Sequence, residues 1–282
     1  MKKHQAGFSV VEIVIVLVIL GIIGLVGWKF VASKTAKDDS SNTSQSSQTK
    51  ATPEPAKLIW QQTADGWQST ETPPTCPSQP VLKAPADLSQ ATSVLYPGQK
   101  RGGNYKPHGG FRFDNTKDNT VTVSAPMDGF IVRGSRYTEI GETQYLIDVI
   151  NNCGILYRFD HLHDLSPELQ KIADKWPAPE ESSRTTNVDP PVYIKAGTVF
   201  ATKVGFVNTH NAAFDFGVYD LRSQNEASKT SAYQAAHPNE KELAWHAVCW
   251  LQNNWLSSSD QAKLAALPAG DPTSGKNSDY CK

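Results

Sequence analysis

From Phe8 to Trp28 the chain is apolar, interrupted only by Ser9 and Glu12. A run of that length approaches what a helix needs to cross hydrocarbon, so residues 8–32 are expected to form a single transmembrane helix. Lys2 and Lys3 stand on one flank, which by the positive-inside bias puts the N-terminus in the cytoplasm and everything after about Lys34 outside the cell membrane. A secretory signal would carry a small-x-small cleavage site after the apolar stretch. Here Gly21, Gly24 and Gly27 lie inside it, so removal of the whole stretch is not expected. Glu12 is the sharpest local feature, because a carboxylate in hydrocarbon is costly and implies a partner.

Gly7, Phe8 and Glu12 together resemble the leader of type IV pilins and pseudopilins: a short basic peptide, Gly, Phe, and Glu as fifth residue of the mature chain. The resemblance implies a leader at 1–7 cut between Gly7 and Phe8 by a prepilin peptidase. It also implies methylation of the new terminus and pairing of Glu12 with a pilin-like neighbour. Pilins usually continue the apolar helix as an amphipathic spine. Residues 33–57 instead read SKTAKDDSSNTSQSSQTKATPEPAK, with no aliphatic side chain larger than Ala and no aromatic. That composition cannot offset its ordering entropy and predicts a disordered linker to a tethered domain.

The outer part is expected to be mainly β. Thr120–Ser124, Phe130–Arg133, Tyr145–Ile150, Ile155–Phe159, Val199–Ala201 and Ala213–Tyr219 are short, rich in β-branched and aromatic residues and separated by turn signals. They predict an antiparallel β-sandwich or barrel with a few appended helices. Helices are expected over Pro167–Trp176 behind the cap-like Ser166, over Glu240–Trp255 on a Leu243, Ala247, Val248, Leu251 stripe, and briefly after Ser259. With 27 Lys+Arg against 28 Asp+Glu and no basic run interleaved with aromatics, nucleic acid is not an expected partner.

Three segments could carry chemistry. In Tyr105–Asp114 an even spacing puts His108 and Asp114 on one face of an extended chain. After a turn at Cys153 and Gly154, the next strand carries His161 and His163 past its end. In Ala213–Tyr219, Phe214, Phe216 and Val218 alternate with Ala213, Asp215 and Gly217, so one face is core and the other presents Asp215. No GxSxG, P-loop or GxGxxG follows a suitable strand.

The order of these segments resembles the lysostaphin-type peptidoglycan endopeptidases (M23-type), zinc enzymes on a small antiparallel β-sandwich. The likeness covers roughly Tyr96 to Asp220. Tyr96-Pro-Gly and Arg101-Gly-Gly-Asn-Tyr lead into His108, Ala125-Pro-Met-Asp-Gly129 is similar to the family's Ala-Pro-x-x-Gly turn, Tyr157–Leu162 to its Tyr-x-His-Leu segment, and Ile194-Lys-Ala-Gly-Thr to its Val-x-x-Gly-x turn. The resemblance implies a metal, zinc before any other, held by His108, Asp114 and Asp215, with His161 assisting catalysis and peptidoglycan as substrate.

The chain departs from the family twice. Asp114 comes two positions later than the family's spacing, which a bulge at Gly109 and Gly110 could absorb. The closing His-x-His aligns with Ala213-Phe214-Asp215, so an assisting His is gone and the ligand His is Asp. Oxygen-rich ligation weakens zinc selectivity, and loss of one positioned acid or base commonly costs about 10²–10⁴-fold. His210, just before the closing strand, is a weak substitute for the absent nitrogen. The bland alternative is that His108, His161 and His163 are ordinary histidines and Asp215 a solvated strand residue.

Expected organisation is therefore a leader (1–7), a membrane helix (8–32), a linker (33–57), a lead-in (58–95), the peptidase-type domain (96–220) and a C-terminal appendage (221–282). Four cysteines, Cys76, Cys153, Cys249 and Cys281, contain no CxxC pair and suit disulfides in an oxidising compartment. Cys249 with Cys281 would pin the chain's end, contributing about 3–4 kcal/mol through loop entropy, and would leave Cys76 with Cys153; three connectivities are open. Trp245, Trp250 and Trp255 suit packing better than a sugar platform. The function expected is a membrane-anchored extracytoplasmic domain that binds or remodels cell wall with weakened or lost hydrolysis. Alternatives are an active zinc metalloendopeptidase, and a minor pilin or pseudopilin of a type IV pilus or type II secretion-like system.

Overall fold

The period-2 patterns become strands whose apolar faces meet in a main core and a smaller second cluster. The computed structural model describes residues 57–238 and 242–282; the leader, the apolar run with Gly7, Phe8 and Glu12, and nearly all of the linker lie outside them. Among the described residues no helix is long and apolar enough to cross a membrane. In chain order the strands are β1 (Trp60–Thr63), β2 (Gly66–Ser69), β3 (Ser93–Leu95), β4 (Gln99–Arg101), β5 (Asn104–Lys106), β6 (Gly109–Arg112) and β7 (Thr120–Ser124). They continue as β8 (Gly129–Glu139), β9 (Glu142–Ile150), β10 (Ile155–Leu165), β11 (Thr186–Ile194), β12 (Val199–Val204) and β13 (Ala213–Asp220).

Nine strands make one antiparallel sheet in the order β11-β8-β9-β10-β13-β6-β3, with β12 and β7 branching from β10. The long β10 serves two layers: its first half pairs with β13 and its last residues, Leu162–Leu165, pair with β12. Phe159 of β10, Phe214 and Phe216 of β13 and Phe200 of β12 meet between the layers, all fully buried. The coarse expectation of a mainly β, antiparallel fold with few helices is what the chain adopts.

Along β13, the opposite face carries Asp215, Gly217 and Tyr219. On that face a second cluster gathers Tyr219 with Trp60, Phe130 and Leu156 under the β1–β2 hairpin. Between its two ends lies an ionic group. Asp148 has no exposed surface and is gripped by Arg133 (Nη2, 2.7 Å) and Arg158 (Nε, 2.7 Å). Burial raises the Asp148 pKa, but the two guanidinium groups outweigh it and hold the carboxyl below the usual range.

Helix α1 (Pro167–Ala173) starts at Ser166, whose hydroxyl accepts from Leu169 N, with Pro at its first position. Ser166→Ala should cost about 0.5–1 kcal/mol, read as a lowered denaturant midpoint with unchanged slope. Helices α2 (Ser231–Ala236) and α3 (Ser258–Ala266) are short. The helix expected over Glu240–Trp255 is corrected: residues 242–255 are turns and bridges. Val248 N donates to Val218 O, Asp220 N to His246 O, and Ala247 bridges Tyr219, so the segment's backbone is committed to β13. Trp250 is fully buried against Phe111 and Phe216, and its Nε1 donates to Phe216 O. This segment therefore completes the core. Two disulfides form, Cys76–Cys153 and Cys249–Cys281.

Candidate functional site

β6 and β13 bring the site together. Their register is unbroken: Gly110 opposes Asp215, and Ala213 opposes Arg112. The glycines after His108 are required by close approach. A Cβ on Gly109 would lie 2.4 Å from Leu95 O, and one on Gly110 would lie 2.5 Å from Phe214 O. The bulge expected at these glycines is absent from the pairing, so the two-residue offset of Asp114 is not absorbed. Asp114 instead lies past the end of β6, where Arg112 Nη2 (2.7 Å) and Thr92 Oγ1 (2.9 Å) take its carboxylate.

His108 and Asp215 do meet. Their relative exposures are 8% and 6%, and His108 Nε2 lies 2.9 Å from Asp215 Oδ2. Burial pushes the His108 pKa down, against the pull of Asp215. Burial raises that of Asp215, but His108, then Arg101 and His161, reverse it and keep the carboxyl well below its ordinary value. The consistent state is an ionised Asp215 beside a neutral His108.

Arg101 reaches the same carboxylate. It ends β4, beside the Gly102–Gly103 turn into β5, and its guanidinium donates to Tyr96 O (3.0 Å), His108 O (3.2 Å) and Asp215 Oδ1 (3.5 Å). The hairpin that carries it is clamped by the C-terminal segment. Gln99 Nε2 donates to Gly275 O and Asn277 O, Ser274 Oγ to Lys100 O, and Asp279 N to Gly98 O. Cys249–Cys281 ties that segment to the core.

His161 faces the pair from β10, its Nε2 3.9 Å from Asp215 Oδ2. It sits at φ +60° where the β9–β10 register shifts between Phe159 and Leu162. An irregularity of this kind re-aims a side chain and is common beside functional sites. Its ring is set by Tyr137, whose hydroxyl donates to Asp160 Oδ1 (2.6 Å) and lies 3.2 Å from His161 Nδ1. Burial, then Asp160, pushes the Tyr137 phenol far up, so it stays a donor. Glu139 Oε2 is 3.7 Å from His161 Nδ1. Lys106, Tyr137, Glu139, Asp160 and His161 line a groove of about 430 Å³. His163 points elsewhere, to Asp164 (2.8 Å) and Glu142 (3.7 Å), and His210 is exposed in a turn.

The expected ligand set is only partly assembled. Of the implied ligands His108, Asp114 and Asp215, only two converge, and among the described residues no three His, Cys, Asp or Glu side chains are placed to share a metal. More decisively, a fixed cation is already there. A unit charge about 4 Å from another costs about 4 kcal/mol at an effective dielectric near 20, and a divalent ion about twice that. Arg101, Tyr137, Asp160 and Glu139 were not among the expected site residues. The only local signal was the Arg-Gly-Gly-Asn turn and the acid directly before His161.

Comparison with known proteins adds the following. Residues 2–28 match the prokaryotic N-terminal methylation motif. No curated protein matches the chain. Among solved structures, Csd3 of Helicobacter pylori, in its orthorhombic crystal, overlaps with a TM-score of 0.32 and 13% identity over 57% of this chain. The chain spans 37% of that protein, and an overlap of this extent shows neither a shared fold nor a shared activity.

Proposed function

We propose that the chain is a membrane-anchored domain that holds cell-wall peptide in the groove at His161 without cutting it. The observation that carries this reading is the Arg101 guanidinium against Asp215, an internal cation where the resembled peptidases use a metal. A guanidinium in that place would not supply the Lewis acid that polarises a scissile carbonyl or acidifies water. What remains is recognition: His161 aimed by Tyr137, with Lys106 and Glu139 offering charges of both signs.

The test uses the full-length protein in detergent. It should sediment with purified peptidoglycan sacculi and release no soluble peptide with or without added zinc, and His161→Ala should lower the bound fraction several-fold. Release of fragments, or one zinc retained per chain, overturns the reading.

A second reading is favoured by the methylation motif at residues 2–28, which supports processing after Gly7 and insertion beside pilin-like subunits through Glu12. A methylated Phe8 terminus by mass spectrometry, and association with a pilus or secretion assembly lost in Glu12→Ala, would establish it. An unprocessed Met1 terminus would exclude it.

A further inference from the structure

A second concave surface lies on the same sheet face as the candidate site, at its other end. It is a groove of about 580 Å³ between the β1–β2 hairpin and residues 242–246. That volume is within the range of about 300–1,000 Å³ usual for small-molecule sites. Two indoles, Trp67 and Trp245, line it with the exposed amides of Gln68 and Gln224 and the exposed carboxylate of Asp65.

Trp67 is held in a way its packing alone does not require. It opposes Gln62 in the hairpin ladder, so both side chains leave one face. Both donate to one carboxylate, Trp67 Nε1 to Glu242 Oε1 (2.7 Å) and Gln62 Nε2 to Oε2 (2.9 Å). Arg133 Nη1 completes the set at 2.6 Å, and its guanidinium backs the Trp67 ring at 5.4 Å. The indole's edge and one face are thus fixed, yet the side chain is only partly buried and borders the groove. A flat aromatic surface fixed before binding loses little entropy when a ligand covers it.

The rest of the lining selects the ligand's chemistry. Among the described lining residues there is no Lys or Arg, Glu242 is already paired with Arg133, and His246 Nδ1 lies 2.8 Å from Ser223 O, so these residues favour an uncharged ligand. Carboxamides present a donor and an acceptor side by side, a match for neighbouring hydroxyl groups. Indole faces match the flat C–H faces of a pyranose ring.

We propose that this groove is a binding site for an uncharged pyranose oligosaccharide, with Trp67 as its platform. The site is separate from the groove at His161 and would stand if that groove bound nothing. The test titrates full-length protein in detergent with the β-1,4-linked tetramer of N-acetylglucosamine and, in parallel, with maltotetraose, following heat and tryptophan fluorescence. Saturable binding of either sugar is expected, weakened about tenfold or more by the pair Gln68→Ala and Gln224→Ala. Both residues are exposed, so the pair should leave the melting temperature unchanged; Trp67→Ala should abolish binding. Absence of saturable binding to both sugars overturns the proposal, as does binding that the glutamine pair leaves intact. Sedimentation with sacculi that survives the glutamine pair but not His161→Ala would leave the peptide groove standing while this site fails.

Discussion

Asp148→Asn should destabilise the domain by about 3–5 kcal/mol, the usual cost of breaking a buried ion pair from one side. The carboxylate is fully buried between Arg133 and Arg158, and the neutral amide would turn N–H groups toward two guanidiniums. Among the described residues Arg158 pairs with no other carboxylate, whereas Arg133 keeps Glu242. For a domain of this size the loss corresponds to a drop of about 6–20 °C in melting temperature. The pH dependence has a definite sign. Because the folded Asp148 carboxyl titrates below its unfolded value of about 3.9, its contribution is complete above that value and is lost as pH falls through the folded one. Wild type and variant should therefore converge in strongly acid solution. A loss under about 1 kcal/mol at neutral pH would show that the ion group is incidental to stability.

The second large effect is a gain. Removing the internal cation and restoring the resembled ligand pattern, by Arg101→Ala with Arg112→Asp and Asp215→His, should create a zinc site of micromolar or better Kd. Wild type should show none tighter than about 1 mM, a difference of about 4 kcal/mol. Gly110 and Arg112 of β6 oppose Asp215 and Ala213, and His108 directly precedes β6, so the three ligands would converge on ground the sheet already provides. The readout is thermal: at 100 times Kd, zinc should stabilise the triple variant by about 2.7 kcal/mol and leave wild type unmoved. Retaining Arg101 in the other two substitutions should weaken zinc at least tenfold. Equal affinity with and without Arg101 would remove the guanidinium from the explanation.

Much of the sheet could be read from the chain because its signal is local. β7 coincides with the expected segment, and β13 follows the alternation of Phe214, Phe216 and Val218 that left Asp215 on the other face. The same logic failed over residues 242–255. There Leu243, Ala247, Val248 and Leu251 mimic a helical stripe, while a bridge to Tyr219, the burial of Trp250 and the Cys249–Cys281 link hold the chain in turns. That His108 and Asp215 would come close was legible because Asp215 sits on the alternating β13 and His108 directly precedes its partner β6. Asp114 was misplaced because its spacing assumed a bulge, and Gly109 and Gly110 turned out to serve close packing instead. Arg101 and Tyr137 were invisible for a different reason. Each reaches the site through pairing set elsewhere, Arg101 through a hairpin gripped by the C-terminal segment and Tyr137 through the β8–β9–β10 ladder.

The lead-in has a mechanical consequence. Lys57, Ile59 and Trp60 are all hydrogen-bonded to Asn152 in the β9–β10 turn, and the neighbouring Cys153 is bonded to Cys76. Tension arriving through the residues before Lys57 would peel these bonds and the β1–β2 hairpin one after another. It would then stop at Cys76, where covalent bonds pass the load into the turn. About 20 residues would pay out, roughly 65 Å of slack, while β8, β9, β10 and β13 stay paired. Peeling carries Trp67 and Gln62 away from Glu242 and opens the groove between them, yet leaves His108, Asp215 and Arg101 in place. Grip at the hairpin would thus yield under load, and grip at the buried pair would not.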